Sequence, residues 1–239
     1  TGNTLTQPTS PTDVNGQTTG TVSSTAAGDK VVTATAGGVT ITQTAAVTVT
    51  AGGVSAGQSS VAANPTTITA STGGSASTIT VTARDQFGNP VAGVGVTFSA
   101  TGTGNTFSPA TPTTDASGVA TTAFSSTQAA AGKTITAVAG GVTITQTAAV
   151  TVTAAGVNAG QSLVSANPTT IPADGTTSTI TVTARDQFGN PVAGATVSLV
   201  ATPTTGNTLT QPTSPTDVNG QTTGTVSSTA AGDKVVTAT

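Results

Sequence analysis

Apolar and polar residues alternate along most of the chain. Ile79, Val81 and Ala83 point one way while Thr78, Thr80, Thr82 and Arg84 point the other, which predicts a half-buried strand over 77–86. Val94, Val96 and Phe98 repeat the pattern after Phe87-Gly88-Asn89-Pro90, where glycine permits an unusual φ and proline denies a ladder donor, so a hairpin is expected. A tight turn at Asp115-Ala116-Ser117-Gly118, echoed by Asp217-Val218-Asn219-Gly220, precedes an inward row of Ala120, Thr122 and Phe124. Lys133 opens the next strand, with Ile135 and Ala137 inward. After Gly140-Gly141, the positions Val142, Ile144, Gln146, Ala148, Val150 and Val152 share one parity. They predict a single strand of about 40 Å at ~3.3 Å per residue. With 59–63 and 66–70, separated by Asn64-Pro65, this makes about seven strands and no helical period.

The pattern is copied along the chain. Arg84 and Arg185 each open the string RDQFGNPVAG, a shift of 101, and Ala36 and Ala139 each open AGGVTITQTAAVTVTA, a shift of 103. Asp13, Asp115 and Asp217 occupy equivalent turns. A unit of roughly 100 residues is the size of one immunoglobulin-like sandwich and too long for a solenoid repeat. A longer period lies above it, because residues 1–35 are identical to residues 205–239, a shift of 204. The chain therefore reads as an excerpt of a tandem array.

Short Gly/Ala-rich joints at 51–57 and 154–160 divide it. On this reading 54–156 is a complete Ig-like module and 157–239 is a module lacking its last strand. Residues 1–53 are the C-terminal part of a module lacking its first three strands. Such a fragment cannot cover its inner face, so it is expected to order only when a preceding stretch or another chain supplies the rest.

Composition removes most chemistry. The 239 residues contain no Cys, His, Met, Trp, Tyr or Glu, and aromatics are 2%. No disulfide framework or thiolate metal site can form. Net charge is −3, with five Lys plus Arg, too few to neutralise phosphates, so nucleic acid is not an expected partner. The start, Thr1-Gly2-Asn3, has neither a basic nor an apolar run, and no segment of about 18 apolar residues occurs, so neither a signal peptide nor a membrane span is expected in this segment.

The order TITVTARDQFGNPVAGVGVTF, TTDASGVATTAFSS, AGKTITAVAGG resembles the Big-1 group of bacterial Ig-like modules, the repeats of invasin- and intimin-type surface adhesins. The resemblance spans nearly all of 54–156, recurs over 157–239, and its closing half recurs in 1–53. It implies an all-β rod of tandem sandwiches, extracellular and at a cell surface, holding a distal binding domain away from the cell. No binding residue of the family has a counterpart here.

The remaining candidates read as structure. Asp85 and Asp186 are expected to cap turns beside a solvated Arg84 or Arg185. Calcium wants six to eight oxygens, and 54–156 offers only the carboxylates of Asp85 and Asp115. Lys30, Lys133 and Lys234 occupy equivalent places and read as charges at strand ends, with an isopeptide bond to Asn or Asp as the sharper alternative. Without histidine, serine and threonine hydroxyls lack their usual base. No catalytic, cofactor-binding or metal residue is expected, no cofactor is implied, and the chain is not expected to be an enzyme. The partners expected are neighbouring modules and, in an alternative reading, other copies of the chain in a self-assembling extracellular filament.

Overall fold

A computed structural model describes residues 2–239. Thr1, the first residue of the predicted 1–53 unit, lies outside the described residues. Among them every regular element is a strand, and no helix is long and apolar enough to cross a membrane.

The first strands are β1 (Asn3–Thr6), β2 (Thr21–Ser24), β3 (Gly28–Val32), β4 (Thr35–Ala36), β5 (Val39–Thr40) and β6 (Ala45–Val49). They form three separate antiparallel ribbons, β1-β2, β3-β6 and β4-β5. Among the described residues no second sheet covers them, and Leu5, Val31, Val39, Ile41 and Val47 stay exposed. Two-stranded ribbons of this kind are marginal in water.

A closed two-layer sandwich is built from β7 (Ser60–Asn64), β8 (Thr67–Thr69), β9 (Ser77–Thr82), β10 (Val96–Ala100), β11 (Asn105–Ser108), β12 (Val119–Ser126), β13 (Ala130–Ala139), β14 (Val142–Thr143) and β15 (Ala148–Thr153). One sheet runs β11-β12-β9-β7 and the other β10-β13-β15-β8, with β14 also on β13. Only the β15-β8 contact is parallel within this sandwich. The inward rows Ile79, Val81 and Ala83, Ala120 and Phe124, Ile135 and Ala137, and Ala148, Val150 and Val152 form one buried cluster drawn from both sheets.

The fold departs from expectation in three places. The strands flanking Phe87–Pro90 are not a hairpin: β9 lies in one sheet, whereas β10 pairs with β13 in the other. The turn does close, through an isolated bridge between Arg84 and Pro90 and a hydrogen bond from Val91 N to Ala83 O. Pro90 brings no N–H to extend that ladder, and the chain then crosses the sandwich through Gly93, which has φ +74°.

The predicted long strand is broken as well. β14 pairs with the end of β13 and β15 with its beginning, while Gln146 between them is exposed and Thr145 N turns aside to Ala56 O. Its length therefore does not measure the sandwich. Finally, β11 carries Phe107 as its single apolar residue, too little alternation to register as a strand.

Residues 157–239 contain β16 (Leu163–Asn167), β17 (Thr177–Thr183), β18 (Leu199–Thr202), β19 (Asn207–Thr210), β20 (Gln221–Ser228) and β21 (Val235–Ala238). They form the sheets β16-β17-β20-β19 and β18-β21 around a smaller cluster of Ile180, Val182, Leu199, Ala201 and Val226. No strand of these residues fills the place that β15 takes in the preceding sandwich.

Candidate functional site: the joints between units

The repeated string RDQFGNP sits at both places where one unit meets the next. Its aspartate caps its own turn. Asp85 Oδ1 accepts hydrogen bonds from Phe87 N and Asn89 N, both at 2.9 Å, as a turn-closing carboxylate should. The other oxygen faces the joint. Asp85 Oδ2 accepts from Gly52 N at 2.9 Å and from Asn89 Nδ2 at 2.8 Å. Gly52 belongs to the segment that leaves the preceding unit, so one carboxylate ties the turn to the connection.

Asn89 completes the bridge. Its carboxamide is held by Asp85 and reaches back across the joint: Asn89 Nδ2 donates to Thr25 O at 2.8 Å and Asn89 Oδ1 accepts from Ala27 N at 2.9 Å. A primary amide that donates to one main-chain carbonyl and accepts from a main-chain N–H two residues on imitates a neighbouring strand. The second joint repeats each of these hydrogen bonds. Asp186 Oδ1 accepts from Phe188 N and Asn190 N, and Oδ2 accepts from Ala155 N at 2.9 Å and Asn190 Nδ2 at 2.7 Å. Asn190 Nδ2 donates to Thr127 O at 2.8 Å, and Asn190 Oδ1 accepts from Ala129 N at 3.0 Å.

All bonds across the joint end on main-chain atoms of the preceding unit. The acceptor turns have different side chains, Thr25-Ala26-Ala27 and Thr127-Gln128-Ala129, yet the same shape. A serine fixes that shape, because Ser24 Oγ accepts from Ala26 N and donates to Ala26 O, and Ser126 Oγ does the same with Gln128. An apolar contact accompanies the polar one. Phe188 is half-buried and packs against the core of the middle sandwich, whereas its counterpart Phe87 is 57% exposed.

The electrostatics follow the hydrogen bonds. Burial alone would raise the Asp85 carboxyl, but donors from Asn89, Gly52 and Phe87 outweigh it and hold the group down at about 2. Asp186 is lowered against the same burial by Asn190, Ala155 and Phe188. A carboxyl whose folded pKa lies below its unfolded value of about 3.9 stabilises the structure above that value and loses the contribution as pH falls. Scattering should therefore show the joints loosening as pH drops from about 4 towards 2. The change should vanish in the double variant Asp85→Asn, Asp186→Asn, whose joints no longer titrate.

One expectation about charged residues needs correction. Arg185 is exposed and Arg84 half-buried, and each Nη1 donates to a carbonyl of its own turn, Gly189 O or Gly88 O, at 2.8 Å. Lys133, however, is no solvated strand-end charge. It is 2% exposed, its Nζ donates to Thr103 O at 3.1 Å and Thr101 O at 3.4 Å, and desolvation lowers its pKa. Those partners are main-chain carbonyls rather than a side-chain amide or acid. Among the described residues no three of His, Cys, Asp and Glu come together as a metal site. From the sequence Asn89 and Asn190 read only as turn residues, and the one signal for a further role is their identical placement in the two copies of RDQFGNP.

Stacked two-layer β-sandwiches joined by a copied, main-chain-directed hydrogen-bond bridge define a tandem Ig-like protein. The bacterial Ig-like domain (group 1) model matches residues 58–154 and again 161–239, and the chain belongs to that family. Solved structures similar to it include surface proteins of bacteria. FdeC, a broadly conserved Escherichia coli adhesin, is 25% identical with a TM-score of 0.61, covering 100% of this chain and 80% of that one. Invasin, a bacterial integrin-binding protein, is 27% identical with a TM-score of 0.59, covering 99% of this chain and 49% of invasin. InvD of Yersinia pseudotuberculosis is 26% identical with a TM-score of 0.51, covering 77% of this chain and 53% of InvD. The chain thus spans about half the length of the latter two structures. No curated protein matches it.

Proposed function

We propose that this chain is a structural spacer from the stalk of a bacterial surface adhesin, non-enzymatic and extracellular, whose Ig-like modules set the distance between a cell and a distal binding domain. Its modules are residues 54–156, complete, and 157–239 and 1–53, each a partial copy. The observation that carries the reading is the joint. Asp85 with Asn89, and Asp186 with Asn190, make the same set of bonds at both junctions, which fixes the same relation between successive units. Bonds to main-chain atoms let one joint design serve modules of differing side chains, as an array of variable length requires.

The adhesin relatives favour the surface setting, and the shortage of Trp, Tyr and Arg favours reach over recognition, because binding hot spots are rich in those residues. The test is small-angle scattering on chains carrying one, two and three copies of the 204-residue period. The maximum dimension is expected to rise by a constant increment per copy. A dimension that levels off, or saturable binding of the 239-residue chain to host-cell receptors, would remove the spacer reading.

A further inference from the structure

We infer that the middle sandwich presets its own docking surface: Lys133 and Gln128 hold the turn Thr127-Gln128-Ala129 in the shape that Asn190 grips, and so act as positioning residues for the second joint. The inference concerns the rigidity of that joint and stands whether or not the array serves as a stalk.

The brace begins at a buried charge. Lys133 lies on β13, and its Nζ donates to Thr103 O at 3.1 Å and to Thr101 O at 3.4 Å. Those carbonyls belong to residues 101–104, the loop between β10 and β11. Asn105, at the end of the loop, gathers its neighbours: Nδ2 donates to Ala100 O and Thr101 O, both at 3.2 Å, and to Gly102 O at 3.0 Å. Four successive carbonyls thus turn inward onto one ammonium and one amide.

The loop in turn holds the docking turn. Thr127 N donates to Gly104 O at 3.0 Å, while Thr103 N and Thr103 Oγ1 donate to Gln128 Oε1 at 3.1 and 2.9 Å. The main-chain atoms either side of Gln128, Thr127 O and Ala129 N, are the ones bonded to Asn190. A chain of contacts therefore leads from Lys133 through Thr103 and Gln128 to the next unit. A turn already fixed in its bound shape loses less freedom when the partner docks.

The copies of this turn elsewhere lack the side-chain part of the brace. Ala230 stands where Gln128 does, and so does Ala26 at the first joint. The main-chain bond is kept, Thr229 N to Gly206 O and Thr25 N to Gly2 O, each at 2.9 Å. The side-chain acceptor is lost, since alanine has none. Gly102 is replaced as well, by Thr204, and geometry links the two changes. A Cβ at position 102 would stand 3.1 Å from Lys133 Nζ and 3.4 Å from Gln128 Oε1, which crowds any longer side chain there. The two joints of this chain are accordingly of two kinds, a braced turn before residues 157–239 and a plain turn before residues 54–156.

The chain has no cysteine, so a pair of nitroxide labels can be placed freely. Thr121→Cys and Thr179→Cys put them on exposed positions of β12 and β17, either side of the second joint in the full 239-residue chain. Pulsed electron-spin measurement reads the distribution of distances between them. Gln128→Ala, which gives this turn the alanine of the others, is expected to broaden that distribution and to raise the undocked population by about two- to tenfold, the effect of losing a hydrogen bond of ordinary strength. Thermal unfolding of the middle sandwich should not shift, because Gln128 is exposed. Lys133→Met, which takes the ammonium away from Thr101 O and Thr103 O, should act in the same direction. Gln128→Glu keeps an oxygen for Thr103 and should keep the narrow distribution. In an Asn190→Ala chain, where the amide bridge is gone, Gln128→Ala should add no further broadening. An unchanged distribution in Gln128→Ala or in folded Lys133→Met would overturn the inference. So would broadening that Gln128→Glu shares, or that Gln128→Ala still adds in full to Asn190→Ala.

Discussion

Asp186→Asn is expected to leave residues 157–239 folded and to free them from the middle sandwich. The substitution keeps Oδ1, which accepts from Phe188 N and Asn190 N, so the turn survives. It replaces Oδ2 by an NH₂ group facing Ala155 N and Asn190 Nδ2, both donors. Two acceptor contacts to a buried carboxylate become donor–donor clashes, at a cost of about 1.5–3 kcal/mol for each charged hydrogen bond lost. Asn190 then loses the partner that aims its amide at Thr127 O and Ala129 N. Scattering should show a broader distribution of inter-unit orientations, with little change in the unfolding transition of the middle sandwich. An unchanged scattering profile would mean that Phe188 packing alone holds the joint.

Phe124→Ala should have the largest effect on folding. Phe124 is fully buried on β12, its ring centroid 5.1 Å from that of Phe107, which in turn lies 5.4 Å from that of Phe98. These three rings come from both sheets and hold the sandwich together at one level. Truncation opens a cavity that rigid flanking strands cannot fill, and the expected loss is about 3–5 kcal/mol. In residues 157–239 the same three places are taken by Leu199, Leu209 and Val226. Denaturant unfolding should therefore shift for the middle unit alone. A shift below ~1.5 kcal/mol would show that the neighbouring side chains repack.

Much of this architecture was legible because a strand facing a core must alternate. Parity alone turns Ile79, Val81, Phe124, Ile135 and Val150 inward, and all are buried. What alternation cannot carry is partnership. Parity assigns a side chain to a face but not a strand to a sheet, so the segments either side of Phe87–Pro90 looked like neighbours although β10 seeks β13, far along the chain. The interruption at Gln146 was hidden for the same reason, since its parity matches its neighbours while its backbone leaves the ladder. Lys133 looked solvated because the segment that covers it, with Thr101 and Thr103, approaches only in three dimensions. Asn89 is the plainest case. Before proline it reads as turn punctuation, and its contacts to Thr25 and Ala27 lie more than sixty positions away.

That asparagine always precedes proline at the joints, as Asn89-Pro90 and Asn190-Pro191. Ordinary ageing of an asparagine proceeds through a cyclic succinimide, closed when the nitrogen of the following peptide bond attacks the side-chain carbonyl. Proline has no N–H and cannot close that ring. The two carboxamides on which the junctions depend are thereby shielded from the commonest spontaneous route to aspartate, a change that would place a second negative charge against Asp85 or Asp186. Chemical longevity of the coupling is written into the residue that follows it.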